Sequence, residues 1–216
     1  MAGLSNYSAQ KMLDWLDGRT SMPAATTCYL ALFTAVGTDA NAGFTEAAYT
    51  SYARQSLAAA FPAASGTSPS SSTSTGAVTF PACTNGAGGV IETHIAWGIF
   101  DALTVGNLLM WDYLGTDDWR PFTCTLASPG VLTVPAHGYS NGNSVVVSSE
   151  FGGSLPTTGG SWTGLLTVAS AATDTFTAGV NTTSTGSGMV KKVTSQQIVT
   201  GTIPTFNIGS IILKAA

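Results

Sequence analysis

The chain has 216 residues and a net charge of −4, and only 8% of its residues are charged, against about 25% in an ordinary globular protein. Seven basic side chains are too few to neutralise a phosphate backbone or to hold an anionic lipid surface, so neither nucleic acid nor membrane is an expected partner. No apolar run reaches the roughly 18 residues of a membrane-spanning helix, and Met1 to Leu13 lacks the basic start and apolar core of a signal peptide. Ser and Thr make up roughly a quarter of the chain, and short runs rich in Thr, Val, Ile and aromatics alternate with Gly, Ser and Asn. That pattern predicts an all-β fold.

A single helix is expected near the N-terminus. Ser5 or Asn6 can cap it, and Ala9, Met12, Leu13 and Leu16 form one apolar stripe at i, i+3, i+4 and i+7. Gly18 stops it. A helix this short needs a partner surface, and its own sheet is the first candidate, ahead of a neighbouring subunit. Thr26 to Thr34 then predicts a strand with both faces buried. Val36 to Thr50 reads as a loop, Tyr52 to Ala58 as a second strand, and the Ser/Thr-rich Ala63 to Gly76 as an exposed, mobile loop. Ala77 to Phe80 is a short strand. Val90 to Asp101 and Asn107 to Leu114 read as a strong hairpin.

From Phe122 to Lys192 the character changes. Short β runs at Phe122–Leu126, Val131–Val134, Ser144–Ser149, Leu165–Ala169, Thr175–Ala178 and Met189–Val193 are punctuated by turns such as Asn141-Gly142. Gln196 to Thr200 and Ser210 to Lys214 return to the Leu/Ile usage of the first part. The expected organisation is therefore a sandwich- or barrel-like β core over residues 1–120 and 194–216, with its short N-terminal helix, and a small inserted β domain over 121–193.

The ordered segments GLSNYSAQKMLDWL (Gly3 to Leu16), CYLALFTA (Cys28 to Ala35), YARQSL (Tyr52 to Leu57), WGIFDALTVGNLLMW (Trp97 to Trp111) and IPTFNIGSIILKA (Ile203 to Ala215) resemble a family of phage and prophage proteins usually labelled tail fibre proteins. Similar small β-rich proteins decorate phage heads. The stretch from Leu132 to Gly179 resembles a small β module of phage tail and fibre proteins. In that module His137-Gly138 and Asn141-Gly142 match turn elements and Phe176 a core aromatic. The resemblance implies a phage structural protein. The leading expectation is a capsid decoration protein on the outer capsid surface of the virion, bound to the major capsid protein as a homotrimer and assembled in the host cytoplasm. The alternative is a tail fibre or tail-tip protein that binds a host glycan through the inserted domain.

The chain offers little chemistry. Asp112, Asp117 and Asp118 cluster where a core strand ends and read as a solvated loop rather than a paired-carboxylate cleft, with a weak cation site as the alternative. His94 shares a strand face with Glu92 and reads as a structural or subunit-interface residue rather than a general base, and neither His94 nor His137 has metal-ligand company. There is no nucleophile elbow or phosphate loop. Cys28, Cys83 and Cys124 read as reduced, mostly buried thiols. No catalytic residue, cofactor or metal is expected, and the chain reads as a non-enzyme. The candidate interface residues are Leu4, Tyr7, Met12, Trp15 and Trp119. Trp162 is the candidate exposed aromatic of the inserted domain, where it could stack on sugar.

Overall fold

The computed structural model describes residues 3–21, 27–58, 60–66, 70–86, 88–149, 153–159 and 161–215. The fold is all-β with one short helix. In chain order the elements are β1 (Gly3–Leu4), α1 (Asn6–Leu16), β2 (Tyr29–Ala35), β3 (Thr45–Glu46), β4 (Gln55–Ser56), β5 (Ser70–Thr73), β6 (Val78–Thr79), β7 (Glu92–His94), β8 (Ala96–Phe100), β9 (Leu108–Tyr113), β10 (Arg120–Cys124), β11 (Val131–Thr133), β12 (Ser144–Ser148), β13 (Leu166–Thr167), β14 (Thr175–Thr177), β15 (Gly186–Val193), β16 (Gln196–Ile198), β17 (Thr205–Phe206) and β18 (Ile212–Ala215). The chain divides into two compact units: unit 1 is Met1–Leu114 with Gln196–Ala216, and unit 2 is Gly115–Ser195.

Unit 1 is built on an antiparallel sheet ordered β1-β9-β8-β2-β3, with β4 also pairing β2. Strand β2 is buried on both faces because its alternation carries apolar side chains on each. Leu30 and Leu32 enter one core cluster with Tyr49, Phe80, Trp97, Ile99 and Ile198. Ala31 and Phe33 enter another with Ala96, Phe100 and Leu108. The apolar run expected as one strand from Val90 to Asp101 is broken at Ile95. Strand β7 pairs β16, whereas β8 pairs β2 and β9. The hairpin of β8 and β9 forms as expected.

Two loop assignments are corrected. Within Val36 to Thr50, Thr45 and Glu46 pair with β2 as β3, and Phe44 packs 4.8 Å from Phe33 and 5.2 Å from Trp111 between ring centroids. Within Ala63 to Gly76, Ser70 to Thr73 form β5 along the C-terminal β18, and Ser74 is buried with its hydroxyl accepting the Ile211 amide at 3.3 Å. Pairing satisfies backbone groups regardless of side chain, so small hydroxyl residues serve on such a strand; residues 67–69 of this stretch lie outside those described. Conversely, the strand expected over Tyr52 to Ala58 shrinks to Gln55–Ser56 because Tyr52 and Arg54 turn inward. The Arg54 guanidinium grips Glu46 through Nε and Nη2 at 2.9 and 2.8 Å. Its Nη1 donates to the carbonyls of Ala102 and Val105, which pins the β8–β9 loop, and its centre lies 3.5 Å from the Phe100 ring centroid. The Tyr52 hydroxyl donates to Glu46 at 2.8 Å and accepts the Leu32 amide at 3.1 Å.

His94 is fully buried. Its Nε2 lies 2.7 Å from Glu92 Oε1, and its Nδ1 has no partner among the described residues. That arrangement places the proton on Nε2. Burial lowers the His94 pKa below its ordinary value, against the opposing pull of Glu92.

Unit 2 is one antiparallel sheet ordered β13-β12-β15-β10-β11-β14. Thr177 of β14 pairs back to Ala169, just beyond β13, through two backbone bonds of 2.8 Å. The sheet thus meets its own beginning and encloses a core of Phe122, Leu132, Val134, Val145, Val168, Phe176 and Val190. Closure of this kind removes free strand edges.

Candidate functional site

The N-terminal segment of unit 1 is held firmly at one point. Gly3 and Leu4 pair with Trp111 and Met110 of β9. Ser5 is buried, donates its hydroxyl to the Leu108 carbonyl, and accepts the Ser8 amide at 3.2 Å as the helix N-cap. The Asn6 amide donates to the Asp39 carbonyl at 2.8 Å, and the Asp39 carboxylate accepts the Trp111 indole N–H at 2.8 Å. Asp17 closes the helix, and Gly18 follows at φ +76°, the left-handed conformation glycine adopts freely.

Beyond this anchor α1 leaves the surface bare. No residue of the helix is buried. Leu13 is 64% and Leu16 66% exposed, and Met12, Trp15, Tyr7 and Leu4 are exposed as well. The expected docking of the stripe on its own sheet is therefore corrected: the 11-residue helix touches β1 and β9 but turns Met12, Leu13 and Leu16 to solvent. The period of the stripe fixes which side chains share a face, not what covers them. The same unit carries an open apolar groove of about 520 Å³ lined by Cys28, Leu57, Phe61, Ile99, Met110 and Leu213.

The other candidate residues fall in unit 2. Trp119 lies beyond the break after Leu114, so it belongs to this unit rather than to the core, and it is half-buried. Trp162 is no exposed platform. It packs partly buried against the unit 2 core and donates its indole N–H to the Pro156 carbonyl at 2.9 Å. The module's turn residues stand as the resemblance implied, with Gly138 at φ +65° and Gly142 at φ +87°, and Phe176 is fully buried.

A polar pocket of about 190 Å³ escaped the sequence reading. It is lined by Thr116, Asp117, His137, Tyr139, Lys192 and Thr194, with Gly138 in its wall. Asp117 organises it: Oδ2 accepts the Tyr139 hydroxyl at 2.8 Å and the Lys192 amide at 3.1 Å, and Oδ1 accepts Arg120 Nε at 3.3 Å. His137 Nδ1 accepts the Tyr139 amide at 2.8 Å, which leaves the proton on Nε2, 3.4 Å from the Thr175 carbonyl. Burial, then the Asp117 contact, holds the Tyr139 phenol above its ordinary pKa, so it stays a neutral donor. Among the described residues no three His, Cys, Asp or Glu side chains form a group that could hold a metal ion. No helix among them is long and apolar enough to cross a membrane.

Residues 3–118, more than half of the chain, match the family model described as Gp80, podophage GP4 fiber I protein gp80. No curated protein matches the chain.

Proposed function

We propose that this chain, which belongs to the podophage GP4 fiber I protein gp80 family, is a structural component of a phage tail fibre, with no enzymatic role, and that copies of it associate through the exposed face of α1. The observation that carries this reading is a capped, firmly anchored helix with no buried residue. A contiguous apolar surface left on a soluble chain marks a contact made in an assembly. The groove lined by Leu57, Phe61, Ile99 and Met110 offers a surface of matching chemistry on the next copy. A contact from helix to groove joins unlike patches, and such a contact closes into a ring when the rotation between successive copies closes and runs on as a filament when it does not. A homotrimer is the expected closure.

The fibre description of the family favours the tail over the capsid. Capsid decoration, with the major capsid protein as partner, is the second reading, supported by the resemblance to head-decorating proteins of similar size. A cryo-electron reconstruction of the particle separates them. The tail-fibre reading expects density for this chain on the tail, with α1 buried against another copy. Density repeating over the capsid lattice, or α1 facing solvent in the assembled particle, would overturn it.

A further inference from the structure

We propose that the polar pocket of unit 2 binds one pyranose ring of a glycan through adjacent hydroxyl groups. The described part of unit 2 carries six charged side chains: Asp117, Asp118, Arg120, Asp174, Lys191 and Lys192. All lie in or beside the segments that converge on this pocket. Arg120 reaches Asp117 and the Ala136 carbonyl, and the Asp174 carboxylate accepts the Ala136 amide at 2.7 Å. Asp117 and Lys192 line the pocket itself and Arg120 is held on Asp117, a concentration of charge that needs a reason in a chain this poor in charge.

The lining selects the ligand class. Asp117 disfavours a simple anion, and the Lys192 ammonium, which makes no hydrogen bond or ion pair to the described residues, disfavours a cation. An apolar ligand would strand the Thr116 and Thr194 hydroxyls. A neutral ring with neighbouring hydroxyls suits both charges at once: one hydroxyl donates to the carboxylate while the next accepts from the ammonium. The Tyr139 hydroxyl and His137, fixed by Asp117 and by the Tyr139 amide, give the pocket a preset shape, which lowers the cost of binding. The volume of about 190 Å³ takes one ring and not an extended chain. Most of this pocket lies beyond the family-matched residues, and the inference stands or falls independently of how α1 is used.

The test titrates the full-length, 15N-labelled chain with methyl glycosides of glucose, galactose, mannose, rhamnose and N-acetylglucosamine, and separately with inorganic phosphate. The expected result is saturation transfer to the ring protons of at least one glycoside, with amide shifts centred on Gly138, Tyr139 and Thr194. Lys192→Met and Thr194→Val, which remove one partner each from the pocket rim, should each weaken that binding by at least about tenfold with the melting temperature unchanged. No binding to any glycoside, binding indifferent to both substitutions, or binding of phosphate alone would overturn the proposal.

Discussion

Trp111 donates its indole N–H to the Asp39 carboxylate at 2.8 Å, while the Asp39 carbonyl accepts the first helical amide, that of Asn6, also at 2.8 Å. One residue of the β2–β3 connection thus joins the sheet to the start of α1. The helix is presented, not frayed. Asp39→Ala removes a charged acceptor and should cost about 1–2 kcal/mol of stability in denaturant unfolding. Hydrogen exchange should then speed up over residues 5–10 first, ahead of the sheet. A uniform change across unit 1 would contradict this local role.

Arg54 is the second point of rigidity. Its side chain is 8% exposed and its fork is committed to Glu46, two loop carbonyls and the Phe100 ring. Arg54→Met leaves the Glu46 carboxylate without its cation and frees the β8–β9 loop, at an expected cost of about 3 kcal/mol. Arg54→Lys should recover little of this, because an ammonium supplies neither the two-pronged grip nor the stacked plane. Chemical denaturation of both variants checks the order.

His94 makes stability depend on pH. Its folded pKa is lowered by burial, so below about 6.5 the unfolded chain takes up a proton that the folded chain refuses. The unfolded state binds more protons there, and stability falls as pH falls from about 6.5 toward the lower folded value. His94→Gln should flatten that part of the stability profile relative to the wild type, with carboxylate effects common to both. An unchanged slope between the two proteins would rule out the imidazole as its source.

Much of the architecture was legible from side-chain pattern. Strand β2 announced two buried faces through Leu30, Leu32, Ala31 and Phe33, and Ser5 and Gly18 marked the helix ends. What escaped depended on backbone or on distance in sequence. Ser70 to Thr73 pair through main-chain groups alone, so their composition read as loop. The stripe of Met12, Leu13 and Leu16 was visible, but a period reports a shared face and not its cover. The polar pocket brings together Asp117, His137 and Lys192, which are far apart in the chain, because β10 pairs with β15. A signal did exist: Arg120, Lys191 and Lys192 are all the lysines and arginines between 115 and 195.

The thiols should be quiet. Cys28, Cys83 and Cys124 are thiols rather than disulfides, and burial raises the pKa of Cys28 and of Cys124 above the ordinary thiol value, which suppresses the reactive thiolate. Reductant should leave the melting temperature unchanged, and a thiol reagent at neutral pH should react with the folded chain far more slowly than with the unfolded one. Rapid modification of Cys83 and Cys124 would contradict their burial, whereas Cys28 is half-buried at the apolar groove.

The central claim is that the bare face of α1 joins copies of the chain. Sedimentation equilibrium of the purified wild type beside the triple variant Met12→Ser, Leu13→Ser, Leu16→Ser tests it most directly. These side chains are exposed, so the substitutions should shift monomer stability by no more than about 1–2 kcal/mol in total. The account predicts a trimeric wild type and a folded, monomeric variant. A monomeric wild type, or a variant that keeps the wild-type mass, would contradict it.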